Sequence, residues 1–151
     1  MWLLKTLGLF SVTIVTFTLA GCSGYYMTEL INAPVHVTRD WVELTPPQPL
    51  KCDLNDQEIL VEVATPHETE TKGWGVVLRD GSVANPEVRM LDKAGTQYNL
   101  EERSFWGPAL CLRGRVLPNH TDFTKVMIRS EVPIDVSKIT WNCYNFQDHK
   151  R

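Results

Sequence analysis

The side chains that could do chemistry are few and lie far apart along the chain. His67-Glu68-Thr69-Glu70 offers an imidazole and two carboxylates, which are groups that bind zinc and similar ions. The acidic run 53–58 is typical of the first half of a calcium loop, but it lacks the glycine at position six, and Ala64 replaces the glutamate at position twelve. A solvated charge run explains both segments. We therefore predict no metal ion and no cofactor.

The remaining polar residues form no recognisable catalytic set. The histidines never occur at the i, i+2 or i, i+4 spacing of a metal site; they are His36, His67, His120 and His149. The chain has no HExxH, Cys-x-x-Cys, Walker-type or G-x-S-x-G pattern. Cys111 is a candidate nucleophile, but its neighbours are mostly apolar, and apolar surroundings raise the pKa of a thiol. We predict no catalytic residue and no enzyme activity.

Two tryptophans are candidates for binding because they lie beside glycines in segments that we predict to be loops. Trp74 has a glycine on either side, and Trp106 precedes one. An indole ring on a loop can stack on a sugar or anchor a protein interface. The alternative is that both rings cover the open ends of the domain. Trp141 alternates with apolar residues instead and is predicted to lie in the core.

The N-terminal segment determines where such a domain would act. Lys5 precedes an uncharged run of 16 residues, Thr6–Gly21, which is shorter than the roughly 20 residues of a membrane-spanning helix. A positive start, an apolar run and a small-residue exit are typical of an export signal. The exit Leu19-Ala20-Gly21-Cys22 resembles the lipobox of bacterial lipoproteins. This resemblance implies that the signal is cleaved before Cys22 and that the cysteine carries lipid.

Lipid on Cys22 would hold the protein in a membrane, because each buried CH₂ contributes about 0.8 kcal/mol and two or more acyl chains anchor a protein stably. Resemblance to enterobacterial lipoproteins also gives Ser23 a role. A residue other than aspartate after the cysteine implies transport to the outer membrane, with the domain facing the periplasm. The alternative is an ordinary signal peptide that is cleaved near Ala20 and leaves Cys22 as a free or disulfide-bonded thiol.

Length and charge limit the mature protein to one domain with few classes of partner. Processing before Cys22 leaves 151 − 21 = 130 residues, the size of a single domain. We expect residues 1–21 to be the signal peptide, 22–33 a lipidated tether and 34–148 one domain. Only Lys5 is lost among the charges, so the mature net charge is 14 − 18 = −4. This charge disfavours nucleic acid, whose binding depends on clustered lysine and arginine.

Export would bring the other three cysteines into an oxidising compartment, where one disulfide and one leftover thiol are expected. Three pairings are possible. The alternation of side chains puts Cys52 and Cys143 on apolar faces, whereas the face of Cys111 is ambiguous. This pattern favours a Cys52–Cys143 bond and leaves Cys111 over. Three buried, reduced thiols remain the alternative.

Short strand patterns and turn signals recur along the whole domain. We predict an all-β, antiparallel sandwich of seven to nine strands, jelly-roll or immunoglobulin-like. Gly95 should supply positive φ in a hairpin between Glu87–Leu91 and Thr96–Leu100, and residues 101–108 should form a long loop. The segment Asp122–Tyr144 resembles the closing strands of jelly-roll carbohydrate-binding modules over about a sixth of the chain.

These observations lead to three hypotheses about function. The first is a non-enzymatic accessory or scaffold lipoprotein that binds another protein of the cell envelope. The second is a carbohydrate or peptidoglycan-binding module, suggested by Trp74, Trp106 and the closing-strand resemblance. The third is an envelope hydrolase, which would need an acid and a base that converge only in the folded chain.

Overall fold

The computed structural model describes residues 25–64, 75–106, 109–114, 117–118 and 120–145, with Trp106 described by its backbone alone. The predicted signal peptide, the acidic segment 67–70, Cys22, Ser23 and Trp74 lie outside the described residues.

The described residues form an all-β sandwich of two antiparallel sheets, which confirms the predicted fold class. The first sheet contains β1 (Tyr25–Glu29), β2 (Val35–Val37), β5 (Asp56–Val63), β10 (Glu102–Trp106), β11 (Ala109–Arg113) and β13 (Ile134–Tyr144). The second contains β3 (Val42–Leu44), β4 (Leu50–Lys51), β8 (Glu87–Asp92), β9 (Gln97–Asn99) and β12 (Asp122–Arg129). A separate small hairpin contains β6 (Val76–Val77) and β7 (Val83–Ala84).

The described strands number thirteen instead of the predicted seven to nine, because two edges are built from pairs of short strands and the small hairpin adds β6 and β7. β1 and β2 lie one after the other along β13, and β3 and β4 lie in the same way along β12. Proline interrupts both pairs, since it cannot donate a backbone hydrogen bond to the sheet. Pro34 lies between β1 and β2, and the run 46–49 with its three prolines lies between β3 and β4.

The core lies between the two sheets and follows from the alternation of side chains along each strand. Ile59 and Val61 of β5 are fully buried, as are Val126 and Ile128 of β12 in the opposite sheet. Trp141 is also buried, as predicted, and its indole Nε1 donates a hydrogen bond to the Gln57 side-chain oxygen at 3.0 Å. A buried indole needs such an acceptor, because its N–H would otherwise lose its bond to water.

The disulfide favoured by the sequence is present between Cys52, which follows β4, and Cys143 in β13. Cys111 is left over as a buried free thiol. The bond joins the edge of one sheet to the long closing strand of the other, over a sequence separation of 91 residues.

The hairpin turn before β9 contains the glycine with positive φ that the sequence predicts. Gly95 has φ of +83°, and its N–H donates to the Asp92 carbonyl oxygen at 3.0 Å. The Asp92 carboxylate accepts further hydrogen bonds from the N–H groups of Ala94 and Thr96 at 2.9 and 2.8 Å. Aspartate and glycine therefore hold the turn through local hydrogen bonds.

Two predictions about chain organisation are wrong. The tether predicted for residues 22–33 is a strand over Tyr25–Glu29, which pairs along its whole length with residues 140–144 of β13. The loop predicted for residues 101–108 contains strand β10, in which Trp106 pairs with Ala109 of β11. Both segments have weak local patterns, so the neighbouring strand, and not their own sequence, determines their conformation.

Candidate ligand-binding site

A cavity of about 370 Å³ lies where residues of β8, β9 and β12 in the second sheet meet Trp41, which precedes β3, and Arg103 of β10 in the first sheet. Its charged lining residues are Arg89, Arg103, Arg129, Glu87 and Glu101, and Trp41, Asn99 and the backbone near Val88 and Leu100 complete it. The cavity lies near the lower end of the roughly 300–1,000 Å³ range of small-molecule sites.

Strand register brings the polar residues of the cavity onto one face. Arg129 of β12 pairs with Glu87 of β8, and Arg89 of β8 pairs with Asn99 of β9. Residues that pair across antiparallel strands project to the same side of a sheet. Val88 lies between Glu87 and Arg89 and faces the core, where it is 3% exposed. The alternation along β8 therefore directs both charged side chains outward.

Trp41 holds two of the arginines in position. The guanidinium carbon of Arg89 lies 3.6 Å from the centroid of its ring, and that of Arg129 lies 4.6 Å away. Guanidinium groups are attracted to the negative face of an indole ring. Arg129 also donates from Nε to Glu87 at 2.7 Å, and Arg89 donates from Nη1 to the Gln97 side chain. The arginine side chains are therefore ordered by contacts within the sheet.

Two buried guanidinium nitrogens lack an acceptor among the described residues. Arg89 Nε and Arg103 Nη1 are each inaccessible to solvent and make no hydrogen bond there. Burial lowers the pKa of Arg103, although the nearby Glu87 carboxylate opposes this effect. Arginine remains charged at neutral pH even so. Both nitrogens are therefore buried donors without an acceptor in the described part of the chain.

The charges of the cavity sum to +1, from three arginines and two glutamates, on a chain whose net charge is −3. Guanidinium groups bind oxyanions through paired N–H donors, and carboxylate and amide oxygens accept hydrogen bonds from hydroxyl groups. These groups fit the binding of a polar, anionic small molecule.

A second polar cluster lies on the outward face of the first sheet, around Glu58 of β5. Glu58 is 5% exposed, and one of its carboxylate oxygens accepts hydrogen bonds from Cys111 Sγ at 2.8 Å, Tyr144 Oη at 3.0 Å and Arg113 Nε at 3.1 Å. The other oxygen accepts from Asn142 Nδ2 at 3.3 Å. A buried carboxylate needs such a set of donors, because it has left water.

The side chains of this cluster hydrogen-bond to Glu58 and do not ionise at neutral pH. Burial, and next the hydrogen bond to Glu58, raise the pKa of Cys111 to about 11. Burial and the charge of Glu58 likewise raise the pKa of Tyr144. Both groups therefore stay protonated at neutral pH and act as donors to Glu58. A protonated thiol is a poor nucleophile, which agrees with the prediction that Cys111 is unreactive.

The candidates predicted from sequence contribute no described side chain to the cavity. Trp74 lies outside the described residues, and Trp106 is described only as a backbone position in β10. Trp41 and the three arginines are not among the binding candidates that the sequence indicates. Arg89 and Arg129 each follow an apolar strand residue, as in Val88-Arg89-Met90, whereas Arg103 lies between Glu102 and Ser104. This signal does not say which arginines come together.

The described histidines take part in exposed pairs with aspartates. His36 Nδ1 lies 2.8 Å from Asp135, and His120 Nδ1 lies 2.9 Å from Asp53. Among the described residues, no three histidine, cysteine or acidic side chains come close enough to hold a metal ion. That part of the chain also includes no helix with the length and apolar character needed to cross a membrane.

Comparison with known proteins gives no relative. No protein-family model, no curated protein and no solved structure matches this chain.

Proposed function

We propose that this protein is a membrane-anchored accessory lipoprotein of the bacterial cell envelope, which acts without catalysis by binding another envelope component. The residues Leu19-Ala20-Gly21-Cys22 support the lipid anchor through their resemblance to the lipobox. Ser23 supports transport to the outer membrane, where the domain would face the periplasm.

The observation that carries the proposal is the position of β1, which begins only three residues after Cys22. Three extended residues span at most about 10 Å. Tyr25, Tyr26 and Met27 follow and are 55%, 57% and 56% exposed. Tyrosine is common at membrane–water interfaces, where its ring and its hydroxyl both find suitable surroundings. A lipid on Cys22 would therefore hold this edge of the sandwich directly at the membrane surface.

The cavity lies away from the anchored end of the domain. Tyr25 pairs with Tyr144 at the end of β13, whereas Arg129 of the cavity ends β12 shortly before β13 begins. A strand of this length, 11 residues, spans roughly 33 Å. This arrangement supports a domain that is fixed at one end and offers a binding surface at the other.

Replacement of the proposed lipidation site tests the anchor. We expect Cys22→Ser to abolish labelling by an alkyne-tagged palmitate in living cells, to block lipoprotein processing and to release the protein from the membrane fraction. Cys111→Ser is the matched control, because it removes the other unpaired thiol and should leave labelling intact. Normal labelling and membrane retention of Cys22→Ser would refute the lipoprotein proposal.

Cross-linking in living cells, followed by mass spectrometry, tests the accessory role. Capture of one dominant envelope protein supports it. Capture of glycan strands alone supports the second candidate, a carbohydrate or peptidoglycan-binding module. The cavity beside Trp41 favours this second candidate, because arginine, glutamate and asparagine residues line it together with an indole ring.

A further inference from the structure

We propose that the free edge of β1 is a docking surface for a second copy of this chain, which adds its own β1 antiparallel to the first. The surface is formed by residues of the folded domain alone. The inference rests on the proposed lipid anchor only in one respect, because a lipid on Cys22 would concentrate the copies on one membrane.

The backbone of β1 is paired on one side only. β1 ends the first sheet, where its neighbour is β13. The Leu30 N–H donates to the Ile139 carbonyl oxygen at 2.8 Å, and this bond fixes which residues of the strand bond to β13. Because the direction alternates along an antiparallel strand, the N–H and C=O groups of Tyr25, Met27 and Glu29 point away from β13. No strand among the described residues pairs with this edge, so three donors and three acceptors are open on it.

The other sheet edges have features that protect natural proteins from strand addition. β2, β3, β4 and β9 have only two or three residues each, and β10 contains the charged residues Glu102 and Arg103. β1 has five residues, and its one charged residue, Glu29, lies at its end. It also contains the only exposed large hydrophobic side chains in the described part of the chain, which are Tyr25, Tyr26 and Met27. An exposed apolar edge of this kind is a template for pairing with another chain.

The backbone groups and the charge of this edge favour a second copy in one register. With Met27 opposite Met27 of the other copy, Tyr25 lies opposite Glu29 at both ends, and all the open groups form six hydrogen bonds. A shift of the register by two residues retains only four of these bonds. A shift by four residues toward the end of the strand brings the two Glu29 carboxylates face to face, where like charges repel. The edge is therefore complementary to itself.

A groove beside β1 is placed to receive a side chain of the added strand. Its volume is about 630 Å³, and it is lined by β1 on one side and by residues 47–51, which lead into β4 of the opposite sheet, on the other. Thr28 and Trp141 also line it. In the proposed register, Tyr26 of the second copy lies opposite Thr28 and projects to the same side of the sheet. The groove would therefore shield this exposed ring from water.

The symmetry of the pair is compatible with two anchors in one membrane. A two-fold axis perpendicular to the sheet relates the copies, so both present the same face on the same side. The two Tyr25 residues are four residues apart along the paired strands, or roughly 13 Å. Each Cys22 is within about 10 Å of its own Tyr25, so both can reach the same surface. Five residues on each copy are far fewer than the roughly 20–30 of a stable interface, so we expect pairing to be weak in dilute solution and stronger on a shared membrane.

Cysteine substitutions along β1 test the register in cells that export the full chain. The two Met27 Cα atoms should be about 5.5 Å apart, within the roughly 4.4–6.8 Å that a disulfide bridges. Met27→Cys should therefore give a dimer on a non-reducing gel that disappears on reduction. The parent chain, which retains Cys22 and Cys111, gives the background. Both Met27 and Glu29 are exposed, so neither substitution should affect folding.

Glu29→Cys is the matched control, because it lies in the same strand on the same face as Met27. The two Glu29 positions should be roughly 13 Å apart, which is too far for a disulfide. Glu29→Cys alone should therefore remain monomeric. Production together with Tyr25→Cys should give the mixed dimer, because these two residues lie opposite each other.

Three results would overturn the proposal: no dimer of Met27→Cys, equal dimer in Glu29→Cys alone, or a mixed disulfide of Met27→Cys with a different protein. Fractionation of the same cells separates this failure from that of the anchor. Monomeric Met27→Cys in the membrane fraction would remove the pairing and retain the anchor. A parent chain outside the membrane fraction would remove the anchor, and oxidation of the purified, concentrated variants would then decide the pairing by the same comparison.

Discussion

Removal of the Cys52–Cys143 disulfide should lower the stability of the domain strongly. The bond closes a loop with a sequence separation of 91 residues. In the chain-entropy model, a disulfide that closes a loop of n residues lowers the entropy of the unfolded chain by about 2.1 + 1.5R ln n cal/mol/K. For a loop of this length, the loss raises the free energy of unfolding by about 4.6 kcal/mol at 25 °C. This is a large part of the 5–15 kcal/mol that stabilises a typical domain. We therefore expect the double variant Cys52→Ala, Cys143→Ala to be close to unfolding at 37 °C.

Urea denaturation of the purified protein, followed by tryptophan fluorescence, measures the free energy of unfolding. The parent with and without a reducing agent gives an independent measurement, and the reducing agent should not affect the double variant. Thiol counting by mass spectrometry under denaturing conditions should find Cys111 reactive in the parent, and Cys52 and Cys143 protected until reduction. A loss of less than about 1 kcal/mol, or two reactive cysteines in place of a bridge, would refute the reasoning.

Two further predictions concern the Glu58 cluster. Glu58→Ala should destabilise the fold by about 3 kcal/mol in urea denaturation, because it removes the acceptor shared by the buried Cys111 and Asn142 side chains and by Tyr144. Glu43→Ala, which breaks an exposed pair with Lys125, should cost less than about 1 kcal/mol. Equal losses would contradict a buried role for Glu58. Burial raises the pKa of Cys111 from 9.0 to about 11, so the folded chain retains a proton that the unfolded chain has lost. Stability from this group is complete below pH 9 and falls between pH 9 and 11, by up to roughly 3 kcal/mol. Cys111→Ser should reduce this fall, and an identical fall in the variant would assign it to other groups.

The elements that the sequence predicts well are those with a strong local pattern. One example is the closing strand, because alternating apolar residues after Pro133 predict a strand over Ile134–Tyr144, and β13 has these bounds. The Asp92–Gly95 turn also followed from local chemistry, because aspartate caps the turn and glycine takes positive φ without strain. The disulfide partners could be chosen because alternation alone puts Cys52 and Cys143 on apolar faces.

Weakly patterned segments could not be assigned without their neighbours. Residues 25–29 are mostly exposed and have no buried face to show in the sequence, so only pairing with β13 makes them a strand. The segment that contains Trp106 was predicted as a loop for the same reason. A strand whose two faces are both partly polar shows no hydrophobic periodicity in its sequence, although its backbone pairs with a neighbouring strand.

The all-β class, the alternation of buried and exposed residues, the main turns and the pattern that resembles a lipobox all follow from the order of residues along the chain. Only the tertiary structure brought Trp41, Arg89, Arg103 and Arg129 around one cavity, from four different parts of the chain. The reason is physical. The face on which a side chain lies depends on a period of two along its own strand, whereas its neighbours on that face depend on which strands pair and in what register.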